Sequence, residues 1–178
     1  DLNADLAWKY DHTMRVISIS SKLLKQVAPV FCGTGGEEIF LGAALFHDIG
    51  RFIQFSLDDQ KKKAMHTGGG HGPVGASVLE ERIIPENPDL FTREQWEMIK
   101  ALVKRHHTNF LSLETRRKAW NETKDNDRRG ECDRNAFLLF GSLLRDADMV
   151  DNCANLYTEK WWERIRLGGF SGFDTTRR

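Results

Sequence analysis

Residues 41–46 (LGAALF) form an apolar run that leads straight into His47 and Asp48, with no capping residue or turn between. An apolar helix that ends this way carries an imidazole and a carboxylate into the interior. Both are costly there unless hydrogen-bonding or cationic partners receive them. The fold must therefore bring complementary groups to this point from other parts of the chain.

Helical periodicity dominates the remainder, and strict strand alternation is scarce. Over residues 4–27, His12, Val16, Ile19 and Leu23 follow i, i+4, i+7, i+11 and share one stripe. Pro29 follows the end of that helix, and the Gly33-Thr34-Gly35-Gly36 stretch is a turn before a second helix over 37–46. A further helix over 73–84 is closed by Pro85 and Pro88. Thr92 and Gln95 have the spacing of a capping box. They open a helix that carries Trp96, Ile99, Leu102 and Val103 and arrives at Lys104-Arg105-His106-His107. A long helix over 135–157 and a short one over 159–167 precede an irregular tail. The expectation is an all-α helical bundle, one compact domain over 1–178. A charged insertion, partly helical and mobile, interrupts it at about 110–133.

Composition narrows the function classes. Apolar residues make up 40% and charged residues 29% of 178, an ordinary soluble balance. Lys plus Arg and Asp plus Glu are each 26, so no basic field recommends a nucleic-acid polymer as partner. Cys32, Cys132 and Cys153 are scattered and form no CxxC pair, which argues against a disulfide framework and for a reducing compartment. No apolar run approaches the ~18 residues of a membrane span. No signal peptide is visible, although the sequence begins at Asp1 without a methionine. A cytoplasmic location is expected.

The chemistry-bearing residues sit where apolar ones are expected. His12 lies on the inward stripe of the first helix. At ~100° per residue, His106 falls about 30° and His107 about 70° from the centre of their helix's apolar face. Asp146, Asp148 and Asp151 interrupt an otherwise apolar helix. Asp146 and Asp148 diverge by about 200°, whereas Asp148 and Asp151, three apart, face one point. Each residue alone has an ordinary explanation: a core histidine bonded to a carbonyl, or an aspartate paired with Arg15 or Arg145. Four helices that each bring an inward His or Asp are better explained together, by a shared metal site.

The ordered set resembles the HD-domain superfamily of metal-dependent phosphohydrolases. The matching residues are His12 in YDHTMRV, His47 and Asp48 in LFHDIGRF, and Asp148 in LRDADMVDN, and the likeness runs over about residues 10–155. HGPVGA and KRHH resemble the elements that supply further histidines in the dinuclear branch, which adds His71, His106 and His107. The resemblance implies one or two divalent ions (Mn, Fe, Mg, Co, Ni or Zn) held by His12, His47, Asp48, His71, His106, His107 and Asp148. Asp48 would be the bridge and the catalytic residue that orients the attacking water. Which of His106 and His107 binds stays open: helix geometry favours His106, and the following Thr108 favours His107. The Glu-Asp-Gly-Gly-Tyr-Pro signature of cyclic-dinucleotide phosphodiesterases is replaced by TNFLSLETRR. The position one turn before the first histidine is Trp8 rather than Glu, which removes a third metal from the expectation.

Such a site lowers the pKa of a metal-associated water toward ~7 and stabilises charge on a phosphoryl group. Arg51, where the family usually has Lys, and Arg15 offer charge and a planar fork to phosphate. His66, beside the glycine loop at 68–70, is a substrate-side candidate, with a solvated loop histidine as its plain alternative. The expected activity is hydrolysis of a phosphate ester in a nucleotide or other small phosphorylated metabolite. Two alternatives are a di-iron, O2-dependent oxygenase of the same superfamily and a non-catalytic nucleotide-sensing module. Trp161 and Trp162 offer a homodimer contact.

Overall fold

The computed structural model describes residues 2–55, 70–107 and 131–156. All regular structure among them is helical. Helix α1 spans Leu2–Val27 and is followed by a 3-10 turn at Pro29–Phe31. Helix α2 spans Gly35–Phe46, capped by Thr34, whose hydroxyl accepts from the Gly36 amide at 3.1 Å. Glu37 and Glu38 in its first turn favour the helix dipole. Helix α3, Ile49–Phe55, follows the His47-Asp48 corner; the periodicity of this short segment does not announce it.

Helix α4 spans His71–Val78, then loosens into a π turn at Leu79–Ile83 and a last turn at Ile84–Glu86. It begins two residues before the expected 73, because Gly70 takes a φ of 80°, a conformation that suits glycine. His71 thereby becomes the first helical residue. Helix α5, Arg93–Arg105, opens on the expected capping box: the Gln95 amide donates to Thr92 Oγ1 at 3.2 Å and the Thr92 amide to Gln95 Oε1 at 2.8 Å. Helix α6 runs Glu131–Leu156 and starts four residues earlier than its apolar pattern suggests. The rest of the charged segment, the short helix at 159–167 and Trp161-Trp162 lie outside the described residues.

Helix α1 packs along α6 and α2, α2 packs on α5, and α4 crosses both α3 and α5. One apolar cluster joins Val16, Leu24, Phe40, Leu102, Phe137, Phe140 and Leu144, all almost fully buried. A second gathers Leu79, Trp96, Ile99 and Val103 between α4 and α5. Glycines set the closest crossings. A Cβ on Gly50 would lie 2.1 Å from the His71 carbonyl oxygen, and one on Gly72 would lie 2.7 Å from that of Lys104. Backbone meets backbone at both points, which draws the first turn of α4 against the start of α3 and the end of α5. No helix among the described residues is long and apolar enough to cross a membrane.

Candidate metal centre

Two groups of donors meet at the end of the apolar core. The first is His12 from α1, His47 from the α2–α3 corner and Asp148 from α6, all buried. His12 Nε2 lies 3.3 Å from His47 Nε2 and 3.2 Å from Asp148 Oδ1, and His47 Nε2 lies 3.9 Å from the same oxygen. The second is Asp48, His71, His106 and His107. His71 Nε2 is 3.0 Å from His106 Nε2 and 2.7 Å from His107 Nε2.

Asp48 faces both groups. Its Oδ2 lies 3.4 Å from His12 Nε2 and 3.6 Å from His47 Nε2. Its Oδ1 lies 2.6 Å from His71 Nε2 and 3.8 Å from His106 Nε2. One carboxylate thus offers an oxygen to each set.

The ring orientations are fixed from behind. His47 Nδ1 donates to the Ala44 carbonyl and His106 Nδ1 to the Val103 carbonyl, each at 2.7 Å. A carbonyl only accepts, so Nδ1 carries a proton behind each ring and Nε2 is the atom turned to the centre. His12 Nδ1 meets Asp151 Oδ2 at 2.7 Å. A cation among these converging Nε2 and carboxylate atoms would satisfy all of them at once. Two donors each about 2.1 Å from a metal stand roughly 3.0–3.5 Å apart, close to most of the separations here. The residues fit divalent ions that accept imidazole and carboxylate.

The two groups differ in charge. Burial pulls the pKa of His71 from 6.5 to about 4, against the pull of Asp48. Burial, then the charge of His47, takes His106 to about 3; burial, then His106, takes His107 to about 4. Burial also disfavours charge on His12, but hydrogen bonds with Asp148, Asp48 and Asp151 outweigh it and raise its pKa to about 9. Asp148 is lowered to about 2: burial opposes ionisation, and the His12 hydrogen bond and the His47 charge overcome it. Asp48 lies well below the usual carboxylate range; burial is outweighed by His47, His12, His71 and Lys9.

All seven expected metal ligands are among these residues, and both His106 and His107 reach the second group. His106 is buried and His107 exposed, in the order that the helix geometry suggests. Asp146 points outward with its side chain 59% exposed, while Asp148 and Asp151 turn inward. Arg51 stays beside the centre, with Nε 3.8 Å from Asp48 Oδ1. Arg15, a candidate both for phosphate and for pairing with an aspartate, pairs here: its Nε and Nη2 bind the two oxygens of Asp151 at 2.6 and 3.2 Å. The buried carboxylate behind His12 needs a counter-ion, and Arg15 supplies it. His66 lies outside the described residues.

Three contributors carry no role in the expectation. Asp151 orients His12; its spacing of three from Asp148 is the available signal. Lys9, three residues before His12 and 8% exposed, places Nζ against Asp48 Oδ2. The Trp8 ring lies flat on His12, with centroids 5.5 Å apart and planes 5° from parallel.

No curated protein and no solved structure matches the chain. A family model described as HD domain matches residues 10–153, most of the sequence and all seven expected ligands. The chain belongs to the HD domain family, a superfamily of metal-dependent hydrolases.

Proposed function

We propose that this protein hydrolyses a phosphate ester in a nucleotide or other small phosphorylated metabolite. The observation that carries this reading is the pair of donor groups that share Asp48, with the cationic Arg51 beside them. Divalent metal bound here supplies Lewis-acid activation of water and neutralises charge on phosphate. The protein's own residues do the rest. His12, His47 and Asp148 hold one set of donors, and His71, His106 and His107 the other. Asp48 stays ionised and, through its two oxygens, keeps the sets in register and orients the attacking oxygen. Burial lowers the Arg51 pKa against the pull of Asp48 and Asp148, yet a guanidinium stays charged, and it presents a planar donor pair to the phosphate. No polymer-sized basic surface is invoked, since acidic and basic residues balance.

The test is metal analysis of the purified protein, followed by a phosphate-release screen over nucleotides and sugar phosphates with Mn²⁺, Co²⁺, Ni²⁺ and Mg²⁺. Metal-dependent phosphate release that disappears in His47→Ala, with helical content retained, supports the reading. Full activity in that variant sinks it. Dioxygen uptake by iron-loaded protein without phosphate release would replace hydrolysis by oxidation.

A further inference from the structure

Lys9 is a buried cation that the proposed chemistry does not use. Its side chain is 10% exposed and its ammonium contacts Oδ2 of Asp48, whose side chain is 5% exposed. That oxygen is the one turned toward His12 and His47, at 3.4 and 3.6 Å, whereas Oδ1 is turned toward His71. Lys9 reaches it because it lies three residues before His12 on α1, on the same helical face. The Trp8 ring flanks the ammonium at 4.8 Å from its centroid and holds it over an apolar surface. The cation is therefore seated on one oxygen of the shared carboxylate and on the side of the first donor group only.

We propose that Lys9 is a built-in competitor for metal at the His12, His47 and Asp148 group: its ammonium neutralises Asp48 in the metal-free protein and must give up Oδ2 when that group loads. The inference rests on the reading of the cluster as a metal centre, not on the identity of the substrate. A metal ion and an ammonium on the same oxygen repel each other strongly in a site shielded from water. Binding that displaces a resident partner is weakened by the free energy of that partner's contact. On the side of the second group, the shared carboxylate meets no lysine among the described residues: Oδ1 faces His71 and His106, with Arg51 Nε further back at 3.8 Å. The two groups therefore load in sequence: the His71, His106 and His107 group first, the Lys9-guarded group second.

The experiment is calorimetric titration of metal-stripped full-length protein with Mn²⁺ and with Zn²⁺, on the wild type, Lys9→Met, Lys9→Arg and the exposed control Lys22→Met. Wild type should show two uptake steps. Lys9→Met should tighten the weaker step by about tenfold or more, while Lys9→Arg and Lys22→Met stay near wild type. Melting temperatures give a second readout: Lys9→Met should melt below wild type in EDTA and recover to it or beyond at saturating Mn²⁺. A lysine with a purely structural role lowers both. An unchanged or weaker second step in Lys9→Met overturns this inference alone. A wild-type protein that takes up no metal overturns it together with the metal-centre reading.

Discussion

The two donor groups are built from the same residue types and rest in opposite states. The first hangs on two long helices, α1 and α6, with Asp151 behind His12, Arg15 behind Asp151 and Lys9 on the shared carboxylate. Its leading imidazole, with a pKa of about 9, is charged in the metal-free protein at neutral pH. The second sits where short helices cross at glycines. Its histidines, at about 4, about 3 and about 4, are neutral. The difference follows from what touches each ring: carboxylates around His12, and for the others burial, positive neighbours and fewer acidic contacts. A ligand set is therefore not ready to bind merely because its donors are close. The second group presents neutral rings, whereas the first must shed a proton and a lysine contact.

The sharpest break of this contrast is a pair of substitutions that each strike one group. Asp148→Asn should weaken the Lys9-guarded step by at least about a hundredfold and spare the other, and His71→Ala should do the reverse. Calorimetric titration reads both. Loss of both steps in either variant would show that the two sets act as one unit. Phosphate release should fail in both variants if hydrolysis needs both sets.

Asp151→Asn comes next. It keeps the shape but removes the charge that orients His12, so the first group should lose about 10- to 100-fold in metal affinity. The second step should not move. An equal loss at both steps would mean that Asp151 supports the packing of α6 rather than the ring of His12.

Stability against pH gives a smaller, graded test. For His71, His106 and His107 the folded pKa lies below the unfolded value of 6.5. The unfolded chain therefore binds protons first, and stability is full above about 6.5 and declines as pH falls toward 4. His12 works the other way: its contribution is full below about 6.5 and is lost as pH rises through about 9. The melting temperature of the metal-free protein should peak near neutrality and fall on both sides. Saturating metal should flatten the alkaline limb, and a metal-free curve with no alkaline limb would contradict the charged state of His12. The smallest effect belongs to Asp146→Asn, which should leave metal uptake and activity within error, because its side chain faces solvent.

Much of the centre was legible in the residues themselves. His12, His47, Asp48 and Asp148 stand out because each interrupts an apolar face, and a buried polar group needs a partner. The order of His106 and His107 followed from their angles on α5, although both reach the second group. Lys9 was not legible. A lysine on an amphipathic helix normally reaches water, and only the approach of the α2–α3 corner turns this one inward. For Arg15 the sequence left two readings, a phosphate contact or an aspartate pair, since its carboxylate partner, Asp151, lies 136 residues away on another helix. In the fold, a turn signal placed the start of α2 within two residues and a capping box placed α5, while α3 escaped because two turns are too short to show a period. The early start of α4 depends on the backbone of Gly70, which hydrophobic periodicity does not report.

The stack of Trp8 on His12 has a practical consequence. An indole ring lying flat on an imidazole senses whether that imidazole carries a proton or a metal, and its light emission changes accordingly. Occupancy at the guarded half of the centre can then be followed in real time by intrinsic fluorescence, with Trp8→Phe as the blank, and no dye or label need enter the site.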